Sequence, residues 1–415
     1  MEAAASKKKI EGKRLAVNFT IIFSVCLFIS YLIIWATMSK ETIGRSDFVS
    51  YFVAGQMVLS GKISMLYSVS AQKNFFTSDI YPANRGVLPF IEGPITAFIM
   101  VPFAKLGLVA GFRVFSFLQF IFEGIGIFLT AKVAPWPKKI SIREKLAICL
   151  LGFVGVGSFI TLIQGQGDGL FVLGAGLGYY LYKKRALKSA GAVFLISIFA
   201  IKPNFAVGVF AFFVFSFSWE LVCGALIAGA TVLFLDFISV GSSGIASFIT
   251  QVIGEAKLWP LPSMEGFSGL ATSIFGTGVL GWTVIAILTI LGFGELIYLG
   301  YLARLERISF ELALGCTLFL TVLISPHVNL HDLILFNLAF ILSIVGVIQE
   351  QFSIKGRKWV SILIGLWFVF ILTGFEQVGK TTRGFPGRLL PLLGLVFCGV
   401  LYLIARSAKP RQEKL

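Results

Sequence analysis

Four short polar segments interrupt the long apolar runs of this chain, and they carry the residues able to do chemistry. The first is Arg45-Ser46-Asp47-Phe48, followed by Tyr51, Ala54-Gly55-Gln56, Gly61 and Leu66-Tyr67. Asp47 could accept a proton as a general base, or either Ser46 or Asp47 could cap a helix running to about Leu59. The second is Gln164-Gly165-Gln166-Gly167-Asp168-Gly169, where glycines allow a sharp turn between two helices. No strand precedes it, so it is not a dinucleotide fingerprint. The third is Lys202-Pro203-Asn204. It puts an ammonium at the end of an apolar helix that Pro203 breaks, where Lys202 is either a binding cation or a snorkelling lysine. The fourth, Ser325-Pro326-His327-Val328-Asn329-Leu330-His331-Asp332, holds both histidines of the protein. Their spacing of four could serve a metal on a helix. The metalloprotease pattern and an obvious third ligand are missing, however, so hydrogen bonding to a phosphate or a sugar is the preferred reading and no metal site is expected.

These segments need elements to position them, and composition says which. Of 415 residues, 57% are hydrophobic and only 13% charged, against roughly a quarter charged in soluble domains. That excludes an ordinary soluble or disordered chain and leaves no room for a large soluble catalytic domain. The expected fold is all-α, a polytopic membrane protein of about twelve transmembrane helices forming one transmembrane domain over residues 1–415. The net charge of +15 fits basic cytoplasmic loops better than nucleic acid, and no nucleic-acid partner is expected. Cys26, Cys149, Cys223, Cys316 and Cys398 all lie in apolar runs without a CxxC, so they read as packing residues.

Basic loops set the expected order of crossing. Lys132–Lys145, Lys183–Lys188, Arg304–Ser309, Gln349–Lys358, the tail from Arg406 and the N-terminus hold most of the 35 basic residues. Placing them all inside satisfies the positive-inside rule and puts both termini in the cytoplasm. Val87–Leu108, broken by Pro89, Pro94 and Pro102, then reads as a re-entrant or interfacial segment, with only Val109–Ala131 crossing. Leu146–Leu162 and Leu221–Val240 read as single spans. Met38–Gly86 becomes a first extracytoplasmic loop, with a helix on one apolar face lying along the membrane surface. Gly241–Leu270 becomes another outer loop. Asp47, Gln164, Gln166, Asp168, Lys202, His327, His331, Asp332, Lys380 and Arg383 all fall on this outer side. Among acids within apolar segments, Glu123, Asp236 and Glu295 should have paired structural roles, whereas Glu92 lies in the re-entrant segment.

In order and spacing, Asp47-x3-Tyr51-x2-Ala54 with Gly61 and Leu66-Tyr67, the Pro-rich segment, Gln164-Gly165-Gln166, Ala190-Gly191 leading to Lys202-Pro203, and Ser325-Pro326 with His331-Asp332 resemble glycosyltransferase family 87. One departure is Phe90-Ile91-Glu92-Gly93-Pro94, where the family often has a Tyr-x-Pro-like element. The resemblance implies a GT-C fold and transfer of a sugar, usually mannose, from a polyprenyl phosphate donor outside the cytoplasm. The acceptor would be a lipid-linked molecule or a glycan. Asp47 matches the catalytic base. Tyr51, Glu92, Gln164, Gln166, Asp168, Lys202, Asn204, His327, His331, Asp332 and Arg383 are the expected substrate-binding residues. Neither a cofactor nor a nucleotide-sugar site is expected. The competing reading is a transporter or lipid flippase, which explains the spans and the buried acids but not an outer loop of this length; a non-catalytic scaffold leaves the clustering of polar motifs unexplained.

Overall fold

A computed structural model describes residues 2–79, 88–256, 261–350, 354–377 and 389–407. Among these residues every regular element is helical. In chain order they are α1 (Glu2–Thr37), α2 (Lys40–Ile43), α3 (Phe48–Leu59), α4 (Val69–Asp79), α5 (Pro94–Ile99), α6 (Val101–Lys105), α7 (Leu108–Val133), α8 (Ile142–Phe153), α9 (Val156–Gln164) and α10 (Gly169–Lys183). There follow α11 (Leu187–Ile201), α12 (Ala206–Phe215), α13 (Trp219–Ala256), α14 (Phe267–Phe275), α15 (Val279–Arg304), α16 (Phe310–Ile324), α17 (Ile334–Glu350), α18 (Ile354–Gln377) and α19 (Leu389–Ser407). The protein is an all-α, multi-pass membrane protein.

Six of these helices are long and apolar enough to cross a bilayer singly, or seven elements if the α8–α9 pair counts as one broken span. Other apolar helices, α3, α11 and α16 among them, are only 10–17 residues long. The apolar runs behind the figure of twelve include these shorter helices, because hydropathy measures composition and not the length of unbroken helix. An apolar outer surface suited to lipid is seen on α15, where Val279, Ile290 and Leu291 are among the most exposed apolar side chains. By contrast α16 and α17 are buried along nearly their whole length and form the centre of the bundle.

Three expectations need correction. Leu146–Leu162 is not one straight helix: α8 and α9 meet at 49°. The break falls at Val154-Gly155, where a Cβ on Gly155 would lie 1.9 Å from Asn337 Oδ1. Asn337 itself donates to the buried Glu123, as does Ser158, so Glu123 has the paired structural role foreseen for it. Secondly, α13 does not end at Val240. It turns at Gly241, whose φ of 67° suits glycine, and resumes to Ala256, replacing most of the expected loop. Thirdly, α3 does not have one apolar face and one solvated face, because protein covers it on all sides. Its sequence is apolar all round, and α5, α6 and α7 cover it, so that Phe48, Tyr51, Phe52 and Val53 are all buried.

The elements beneath the site are held by helices that approach backbone to backbone. α10 does this on two sides. A Cβ at Gly176 would lie 2.2 Å from the Gly126 carbonyl oxygen of α7, and one at Gly178 would lie 3.0 Å from the Ala190 carbonyl oxygen of α11. Small residues permit this packing where lipid offers no hydrophobic drive between helices. Gly176→Leu therefore drives carbon into backbone and should cost about 3 kcal/mol or more. Gly294→Leu, on α15 with nothing within 4 Å, should be neutral. Size-exclusion profiles of the two variants in detergent check this: loss of the monodisperse peak is expected for Gly176→Leu alone.

Candidate active site

Asp47 and Asp168 both occupy the residue before a helix, and neither side chain caps it. Each has helical backbone angles instead of the extended ones that turn a capping oxygen onto the first turn (φ −66°, ψ −21° for Asp47; φ −72°, ψ −16° for Asp168). The carboxylates are thereby left for other partners. The cap role foreseen for Asp47 is not what the geometry shows.

What replaces the cap is the Gln164–Asp168 turn. Gly165 is left-handed, with φ 63°, and closes α9. A Cβ there would meet Phe48 at 2.7 Å, so no other residue lets the turn sit against α3. Gln164 and Gln166 then reach α3 from either side of that glycine. The Asp47 N–H donates to Gln164 Oε1 at 3.1 Å, and Gln166 Nε2 donates to Asp47 Oδ2 at 2.8 Å. Gln166 Oε1 in turn accepts from the Tyr51 hydroxyl at 2.9 Å. Asp47 is fixed at two points by the glutamines, yet 34% of its side chain stays exposed. Burial holds its pKa above the ordinary carboxylate value, although Gln166 and Lys202 pull it down.

Lys202 closes α11, in the extended backbone that a following proline imposes. Its ammonium lies 2.5 Å from Asp332 Oδ1, 2.8 Å from His331 Nε2 and 3.4 Å from Asp168 Oδ1. Asp168 and Asp332 are wholly buried. Burial alone would lower the Lys202 pKa, but the two carboxylates outweigh it and raise it, so the lysine stays charged. Asp332 is buried too, yet Lys202 holds it below the usual range and keeps it ionised. Asp168 is less well compensated, and burial pushes it up to about 7.

His331 is neutral, because burial and the neighbouring Lys202 lower its pKa to about 3. An ammonium only donates, so Nε2 accepts from Lys202 and the ring proton resides on Nδ1. That Nδ1 faces Asp47 Oδ2 at 3.9 Å. Lys202, His331 and Asp47 thus form a line of side chains from a buried cation to a partly exposed carboxylate.

The remaining expected residues divide into three groups. Glu92 joins the site: its carboxylate lies beside the Tyr51 hydroxyl and Lys202, and burial raises its pKa. Asn204 and His327 buttress it from outside. Asn204 Nδ2 donates to Ser325 Oγ at 2.6 Å, and His327 Nε2 lies 2.9 Å from Asn329 Nδ2 within its own loop. Arg383 and Lys380 lie outside the described residues. The two histidines therefore have separate partners, His327 on Asn329 and His331 on Lys202. The atoms that do cluster are one each from Asp168, His331 and Asp332, within 4.8 Å of one another.

Of the supports around the site, Gln72 has no sequence signal beyond an unremarkable polar residue, whereas Tyr67 and Asp236 stand out in the sequence but without these partners. Gln72 accepts from the Phe90 N–H at 2.8 Å and donates to the Leu66 carbonyl at 2.7 Å. The Tyr67 hydroxyl donates to the Glu92 carbonyl at 2.7 Å. Asp236 accepts from the Ile95 N–H at 2.7 Å, so α13 holds the start of α5. Together they fix the segment that carries Glu92.

The profile of glycosyltransferase family 87 matches residues 90–326, more than half of the chain. The chain belongs to glycosyltransferase family 87. No curated protein matches it. As a member of family 87 it is a membrane glycosyltransferase, with a sugar donor and an acceptor. The matched stretch contains Glu92, Gln164, Gln166, Asp168, Lys202 and Asn204. Asp47 precedes it and His331-Asp332 follow it, and both are bound to it through Gln166 and Lys202.

Proposed function

We propose that this membrane glycosyltransferase moves a sugar, most simply mannose, from a polyprenyl phosphate donor to a lipid-linked or glycan acceptor, with inversion and with Asp47 as general base. The observation that carries this reading is the Asp47 carboxylate, held by Gln166, partly open to solvent and next to His331, which in turn meets Lys202. A sugar hydroxyl is a poor nucleophile until its proton begins to leave. In a single displacement the acceptor oxygen bonds to the anomeric carbon as the bond from that carbon to the donor phosphate oxygen breaks. The acceptor proton passes to Asp47, and the polyprenyl phosphate leaves with the bonding pair. A phosphate needs no acid to depart, so a single carboxylate suffices, unlike the paired acids of glycosidases.

The departing phosphate gains negative charge, and a fixed cation beside it lowers the barrier. Lys202 is the candidate in reach of Asp47, with the Nδ1–H of His331 as a second donor and Arg383 as a further one. Glu92 and Tyr51 would hold the acceptor. Donor entry from the bilayer, cytoplasmic termini and an extracytoplasmic site in the cell membrane belong to the same proposal, supported by the basic loops.

Purified protein given labelled polyprenyl phosphate mannose and a panel of lipid and glycan acceptors tests it. Product with inverted anomeric configuration is expected. Lipid scrambling in vesicles without any sugar transfer would favour the flippase reading instead. A pH profile gives a further check. The base must be ionised, so transfer should fall as pH drops through the Asp47 pKa, and burial should place that limb above the ordinary carboxylate range. A limb at the pKa of a solvated aspartate would show that another group limits the rate.

A further inference from the structure

The Lys202 ammonium stands at the focus of three side chains of metal-ligand type. Asp168, His331 and Asp332 each offer it one atom, and those atoms lie within 4.8 Å of one another. Ligands on opposite sides of a divalent ion at about 2.1–2.2 Å are about 4.3 Å apart, so small rotations would close this set on an ion. The set is hidden from water: Asp168 and Asp332 are fully buried and His331 nearly so. Neither Asp168 oxygen receives a hydrogen bond. A buried carboxylate without donors is costly unless a cation faces it, and the cation facing Asp168 is the lysine at 3.4 Å. Asp332 is fixed independently, since its second oxygen accepts from the Asn329 N–H at 2.7 Å.

We propose that Lys202 is a tethered substitute for a divalent cation, and that removing its side chain turns Asp168, His331 and Asp332 into a divalent-metal site. This rests on the glycosyltransferase reading and deepens it. A lysine supplies one positive charge from a covalent stem, so the donor phosphate meets a cation that does not exchange with solution. It also excludes a true metal, because an ion at that focus would share its ligands with an ammonium 2.5–3.4 Å from them.

The test uses the full-length protein in detergent without donor or acceptor, with Mn²⁺ as the probe. Lys202→Ala should bind one Mn²⁺ per chain, seen as loss of the free-ion electron paramagnetic resonance signal, and its melting temperature should rise by several degrees. Adding Asp168→Asn should abolish both effects. Wild type should show neither, and its transfer should survive EDTA. If Lys202→Ala does not fold alone, Lys202→Gln keeps most of the stem, and recovery of folded protein on adding Mn²⁺ is the readout. Saturable binding to wild type that Asp168→Asn removes would overturn the proposal, because the ion would then be resident beside the lysine. Absence of binding and of rescue in both Lys202 variants would overturn it equally. Either failure leaves the transferase reading standing, since that reading depends on transfer by Asp47 variants.

Discussion

Asp47→Asn should fold and bind donor normally yet transfer sugar at least about a hundredfold more slowly, since general base catalysis contributes roughly 10²–10⁴ in rate. The substitution preserves size and keeps an oxygen that Gln166 Nε2 can still address. Nor is a helix cap lost, because the Asp47 side chain makes no capping hydrogen bond. Stability is therefore expected to change little, which makes the loss of rate interpretable as chemistry. Parallel measurement of kcat, donor KM and melting temperature decides the matter. Near-normal kcat in the asparagine variant would remove Asp47 from the base role and direct attention to Asp168 and Asp332, the carboxylates paired with Lys202.

The second large effect is expected at Lys202. Lys202→Met removes the charge between two fully buried carboxylates. Breaking a buried pair from one side typically costs about 3–5 kcal/mol, because the remaining charge is left uncompensated. Lower stability and little transfer are expected together, and the two can be separated. Lys202→Met combined with Asp332→Asn removes both charges of the closest pair, which should restore much of the stability. Transfer should stay low, because no ammonium remains to meet the leaving phosphate. A double variant that regains both stability and rate would make Lys202 a structural ion only. Lys202→Arg should retain charge but fit poorly between acids spaced for a point charge.

Much of this site was legible in the sequence because rare polar residues in an apolar chain have few places to go. Asp47, Gln166, Lys202, His331 and Asp332 interrupt apolar runs, and burying such groups in lipid is costly unless they meet. Their convergence is what the structure shows. The details that escaped have physical reasons. Whether Asp47 caps α3 depends on two backbone angles, which no residue type fixes. Burial of α3 depends on α5 and α6 folding over it, and an apolar helix looks the same beneath protein as beside lipid. The continuation of α13 beyond Gly241 was hidden because glycine signals a turn without saying whether helix resumes. The link from Asp236 to Ile95 joins residues 141 positions apart and leaves no local trace.

That Asp47 is held by Gln166, 119 positions later, bears on how the protein is made. Translation proceeds at about 5–20 residues per second, so roughly 6–24 seconds separate the two residues at the ribosome. Lys202 then awaits Asp332, another 130 positions on. Asp47 is thus anchored within the first half of the chain, whereas Lys202 meets Asp168 from that half but its nearer partner Asp332 only when helices from both halves have docked. A product that stops between Lys202 and Asp332 would keep Asp47 on Gln166 but leave the ammonium without its nearest carboxylate, so the two parts of the site are completed at different times.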